Sequence, residues 1–225
     1  MKKSRTIWIM VLVICLLAGG IAAGVLFFVN SSEKINPDIY GRIYIPDTEI
    51  DCPILQHPED NGYYLTHDAE GEENLSGAIF SEDYNSKDFE DPITVLYGKN
   101  MENGSMFGSL QKYGDNLYMQ EHPYIYIYAG DMEYKYRVFA AYLSDNRHLM
   151  ERFCSGKSQG NREAYLKSIF DNRTMEAQID NSVEVSTDSK ILTLSTHDNR
   201  GEQYRYLVQA CLTEKKEVSP VEAEK

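Results

Sequence analysis

Apolar positions along the chain follow three different patterns. Residues 7–29 form a continuous run without a charge, long enough to cross the roughly 30 Å hydrocarbon layer of a bilayer as one helix. From residue 42 onward apolar positions come in short alternating stretches, the period of half-buried strands. Residues 42–46, 50–56, 77–81 and 92–97 are four of them. Residues 124–128 and 133–143 flank Ala129-Gly130-Asp131 and predict a hairpin, while 190–196 and 205–212 predict a final pair of strands. Helical spacing marks 106–113, a further turn over 115–121, and 161–172. In the last of these Ala164, Ile169 and Phe170 stand among charges, and Asn161 is placed to cap the start.

The sum is about eight short strands with two or three inserted helices, which predicts a mainly β fold, an eight-stranded β-barrel with helical decoration. The expected organisation is a cytoplasmic segment 1–6, a membrane anchor 7–29, a polar linker 30–41, one folded domain 42–212 and a charged, disordered tail 213–225. Lys2, Lys3 and Arg5 before the apolar run set the orientation, with the folded domain outside the cell. A cleaved signal peptide is the competing reading, because small residues occupy much of 18–24. The run continues through Leu26, Phe27, Phe28 and Val29, which favours an uncleaved anchor.

Charge narrows the function further. The formal net charge is −13, and removing the three N-terminal cations leaves −16 for the remainder. Such a domain repels nucleic acid phosphates, so no nucleic acid partner is expected. The cysteines Cys15, Cys52, Cys154 and Cys211 contain no C-x-x-C pair, which excludes a zinc ribbon or a redox motif. Cys52 and Cys211 sit in apolar strand patterns and read as small buried hydrophobes. His57, His67, His122 and His148 have no ligand spacing and read as solvated loop residues; neither a metal nor another cofactor is expected. The tyrosines cluster in the strand patterns, where half-buried rings pack well.

Candidate chemistry collects around Ile191-Leu-Thr-Leu-Ser-Thr-His197, with Arg205 eight positions after the histidine. This strand and its partner at 205–212 are preceded by Asp60-Asn61-Gly62-Tyr63-Tyr64-Leu65, Ser76-Gly77-Ala78-Ile79-Phe80, Leu96-Tyr97-Gly98-Lys99-Asn100-Met101 and Met106-Phe107. The ordered set resembles the motifs of class B sortases, membrane-anchored cysteine transpeptidases of Gram-positive cell surfaces, over about residues 43–212. The resemblance implies a sortase-like barrel and a groove for a sorting-signal peptide. It also implies a catalytic cysteine, histidine and arginine at the positions held here by His197, Lys99 and Arg205. Only Arg205 matches. Asn61, Leu65 and Ser195 fall at groove-lining positions of the family and are the expected substrate contacts.

Two replacements out of three change the expected chemistry. An imidazole is a weak nucleophile whose acyl adduct hydrolyses readily, so His197 does not suit a long-lived acyl-enzyme. Ser195 with Lys99 as base is the formal alternative: Ser195 shares a strand face with His197, whereas Thr196 points the other way. Cys211 lies at the opposite end of its strand from Arg205. The leading expectation is therefore a catalytically degenerate homologue that binds a sorting-signal peptide, a pilin-like surface protein or an active sortase. The alternatives are a transpeptidase or hydrolase with an unorthodox active site, and a structural domain facing the cell wall. Lys99, His197 and Arg205 together predict a cationic pocket, either open to an anion such as a carboxylate or phosphate, or neutralised by Asp198 or Glu202.

Overall fold

The structure, a computed structural model, describes residues 36–149, 159–172, 174 and 176–218. The expected anchor at 7–29 and Cys154 lie outside the described residues. Among the described residues no helix is long and apolar enough to cross a membrane.

Among the described residues nine strands form one sheet: β1 (Ile39–Tyr44), β2 (Asp51–Leu55), β3 (Ile79–Phe80), β4 (Ile93–Tyr97), β5 (Tyr124–Ala129), β6 (Met132–Asp145), β7 (Gln178–Ile179), β8 (Ile191–His197) and β9 (Tyr204–Glu217). The spatial order is β5-β1-β2-β3-β4-β8-β9-β6-β7, and a further pairing of β5 with β6 closes the first eight into a barrel. Closure removes free sheet edges, the usual solution for a small antiparallel sheet. β6 serves three neighbours because it is long: Met132–Arg137 pair with β5, Ala140 and Ala141 with β7, and its whole length with β9.

The barrel interior is filled by Ile43, Ile54, Leu96, Ile125, Ile127, Leu192, Leu194 and Val208, all fully or nearly fully buried. Alternation along β8 puts Leu192, Leu194 and Thr196 inward and Ile191, Thr193, Ser195 and His197 outward. The outward residues are nevertheless buried up to Ser195, because helix α2 (Gln159–Phe170) covers that face. The anchors of α2 are Tyr165 and Ile169, at 1% and 0% exposure, whereas Ala164 faces solvent. Asn161 lies inside this helix rather than at its cap, since the helix begins at Gln159.

Residues 106–113 were expected to be helical, and the segment forms a 3-10 helix over Gly108–Gly114. Its buried side chains explain the choice: Phe107, Leu110 and Tyr113 recur every third residue, the period that lines up one face of a 3-10 turn. Helix α1 (Asn116–Glu121) follows, capped by Asp115, whose side chain accepts from the backbone nitrogens of Leu117 and Tyr118.

Three other expectations change. β7, two residues long, carries no periodic signal and is absent from the sequence reading. β1 begins at Ile39, so the end of the expected linker belongs to the barrel. The last strand continues to Glu217 where a disordered tail was expected from Thr213. Residues 213–217 look like a solvated charged run, yet their backbone pairs with the start of β6. Lys215 pairs with Glu90 and lies over the Tyr134 ring, Lys216 pairs with Glu133, and Val218 is buried.

Candidate functional site

β4 and β8 run parallel, with Tyr97 beside Ser195 as the last registered pair. The Gly98 nitrogen donates to the Ser195 carbonyl at 3.2 Å and extends this register one step. Lys99 is thereby brought level with His197. Gly98 is required here by close approach: a Cβ would stand 2.8 Å from the Phe107 ring. On the other side β9 runs antiparallel to β8, and His197 is directly opposite Arg205. Three separate strand ends thus deliver Lys99, His197 and Arg205 to one place, as strand termini at sheet mouths commonly do.

These three, with Asn61, Leu65 and Ser195, line a single cavity of about 270 Å³. All six residues expected from the sequence meet there. Ser195 and His197 share the outer face of β8, as the alternation predicts. Thr196 lies on the inner face, 2% exposed, with its hydroxyl unpartnered. Cys211 pairs with Ile191 at the far end of the ladder and is remote from the cavity. Burial pushes its thiol and that of Cys52 above the ordinary range, as expected of inert structural cysteines.

The cavity has more wall than the motifs foretell. Glu82, Tyr97, Asp145, Asn146, Arg147, His148 and Leu149 also line it. His148 is not a solvated loop residue: its Nε2 lies 2.8 Å from the Glu82 carboxylate, and Tyr97 Oη donates to the same carboxylate at 3.1 Å. The remaining loop histidines are likewise engaged. His57 and His67 stack on Tyr63, and His122 pairs with Asp47. No sequence signal links His148 to a glutamate 66 positions earlier. Among the described residues no group of histidines, cysteines and acids could hold a metal.

Asn61 is bound on its own side of the groove. Its amide donates to Asp83 Oδ1 at 2.8 Å and its carbonyl oxygen accepts from the Asp83 nitrogen at 2.9 Å. That exchange fixes the segment carrying Leu65, an exposed leucine at 43%. Lys99 Nζ donates to the Leu75 carbonyl. Arg205 uses one terminal nitrogen, Nη1, to donate to the Glu202 and Tyr204 carbonyls at 2.8 and 2.9 Å.

Asp198 does not neutralise these cations. Its buried carboxylate accepts from Arg200 Nε at 2.7 Å, and Arg200 reaches on to Glu176 at 2.6 Å. The pair with Arg200 holds the Asp198 carboxyl below the usual carboxylate range. The Glu202 carboxylate acts through its field, opposing the effect of burial on His197 and Arg205. Burial foremost, then the charges of Arg205 and Lys99, lower the His197 pKa below that of a free imidazole. Burial likewise lowers Arg205, which stays charged at any physiological pH. Among the described residues, none of the three cationic positions forms an ion pair with a carboxylate.

A closed eight-stranded barrel with a groove across β4, β8 and β9 defines a sortase domain, and the sortase domain family model matches residues 43–213. Sortase B of Listeria monocytogenes is 35% identical over 187 residues, covering 81% of this chain and 73% of that protein. Among solved structures, Clostridium perfringens sortase B superposes with a TM-score of 0.72 at 26% identity, covering 81% of this chain and 97% of that one. A Staphylococcus aureus sortase B–substrate complex superposes at 0.70 with 29% identity, covering 84% and 85%. The chain belongs to the class B sortase family.

Proposed function

We propose that the chain is a catalytically degenerate class B sortase that binds a sorting-signal peptide or a partner surface protein. In this reading residues 7–29 anchor it in the membrane, and the barrel lies outside a Gram-positive cell. The proposal rests on the motif resemblance, which puts His197 and Lys99 where the family has its cysteine and histidine, and on one observation that supports it: both line one cavity with Asn61, Leu65, Ser195 and Arg205. Transpeptidation needs a thiolate that forms a durable acyl-enzyme and a group that returns a proton to the leaving amine. His197 supplies no thiolate, and Lys99 Nζ donates to the Leu75 carbonyl. Among the described residues no hydrogen bond joins Lys99 to Ser195, so a serine-lysine dyad finds no support.

Retention of the groove favours binding over a purely structural role. Asn61, Leu65, Ser195 and Arg205 line the same cavity, and a class B relative has been solved with its substrate bound. The decisive experiment incubates the full-length protein with an N-P-x-T-type peptide and an amine. Binding without cleavage is expected. Cleavage that disappears in Arg205→Ala would overturn the proposal, and absence of any peptide binding would leave only a structural domain.

A further inference from the structure

The cationic end of the groove is overbuilt for a neutral peptide carbonyl. A carbonyl oxygen is satisfied by one or two donors, yet Lys99, His197 and Arg205 all line this end. Among the described residues, the two carboxylates in the cavity wall are already engaged, Glu82 with His148 and Tyr97, and Asp145 with Arg147 at 2.5 Å. Arg147 lines the wall as well, so the described lining carries one cation more than its anions even with both histidines neutral. This stands in a chain whose net charge is −13. Arg205 is held by Nη1 on two main-chain carbonyls, and no described residue takes its Nε or Nη2. A guanidinium edge oriented in that way matches a carboxylate.

We infer that this pocket binds the free C-terminal carboxylate of a peptide, seated between Lys99, His197 and Arg205, with the peptide body along Asn61, Leu65 and Ser195. The protein then recognises a chain end, such as the threonine terminus left when a sorting signal has been hydrolysed, in preference to an uncut chain. This rests on the peptide-binding reading above. It replaces the carbonyl of an intact signal with an anion, which Lys99 and Arg205 attract more strongly than a neutral oxygen. The groups facing His197 are Lys99 from the turn after β4, Arg205 from β9 and Glu202 from the loop between β8 and β9. Of these only Glu202 favours imidazolium, so a bound carboxylate would favour it further.

The test compares, on the full-length protein in detergent micelles, one N-P-x-T peptide as the free acid and as the C-terminal amide, with inorganic phosphate as a third ligand. Calorimetry gives affinity, and NMR follows the His197 ring. The acid is expected to bind at least about tenfold more tightly than the amide, as loss of a charge-assisted pair would give. The acid alone should move the His197 titration to higher pH. In Lys99→Met the acid should lose more affinity than the amide does, so that the gap between the two narrows. Equal binding of acid and amide would overturn the inference and leave the peptide groove standing. Phosphate moving His197 as far as the acid does would also overturn it, and no binding by either peptide would remove the groove reading with it.

Discussion

His197 and Arg205 stand directly opposite each other as the last registered partners of the β8–β9 ladder. Antiparallel partners send their side chains to the same face, so an imidazole and a guanidinium share one mouth, and Lys99 joins them from the turn after β4. Burial first, and then the Arg205 charge, disfavours the imidazolium form of His197.

That relationship predicts a titration. NMR of the His197 ring should show a pKa below the usual 6.5, because burial and two neighbouring cations disfavour the protonated form. Arg205→Gln should move it upward, and added salt should do the same to a smaller extent, since His197 is exposed enough for partial screening. An unshifted histidine in the unsubstituted protein would contradict the arrangement.

Arg200 should matter to acid stability. Its bond to Asp198 holds that carboxyl below the ordinary range, so the contribution is complete above the unfolded-state value of about 4 and fades as pH falls through the folded value. Arg200→Ala leaves a carboxylate only 6% exposed with its backbone partner alone. The expected cost near neutral pH is about 1–2 kcal/mol, since the exposed guanidinium is already screened. The acid-unfolding midpoint should move to higher pH, and the two proteins should converge in stability at the lowest pH, as chemical denaturation at several pH values would reveal.

A buried polar chain fixes the helix to the site strand. Tyr165 Oη lies 2.7 Å from Thr193 Oγ1 and donates to Gln209 Oε1 at 3.0 Å, Thr193 donates to the same oxygen at 2.7 Å, and Gln209 Nε2 donates to Tyr142 at 3.2 Å. Tyr165→Phe keeps the ring and removes its hydroxyl. Urea denaturation should report a loss of about 0.5–1.5 kcal/mol, the net value of a buried hydrogen bond, because Gln209 Oε1 keeps its bond from Thr193. A neutral result would mean that α2 is held by Ile169 and its apolar neighbours alone.

Restoring the family's chemistry offers a different check. His197→Cys with Lys99→His should give slow cleavage of an N-P-x-T-type peptide, measured by chromatography, while either change alone gives none. A thiolate without a proton donor stalls, and an imidazole without a nucleophile has nothing to activate. An inactive double variant would place the loss beyond these two side chains, for example in the wall formed by Glu82 and His148.

Much of this protein is legible along the chain because strand alternation is a local property. The period of 191–197 separated Ser195 and His197 from Thr196, and the interval to Arg205 brought that residue back across the turn. Sequence alone therefore indicated the barrel class and six residues that meet in one cavity, and the motif resemblance set His197 and Lys99 where class B sortases carry cysteine and histidine. Tertiary structure decided what depends on groups distant along the chain. It decided that Asp198 turns to Arg200 and away from the pocket, that His148 closes the wall on Glu82, and that residues 213–217 pair with β6. The physical reason is the same in each case. Hydrophobic period shows which face a residue occupies, but which charge meets which is settled only when the closed barrel brings remote strands and loops together.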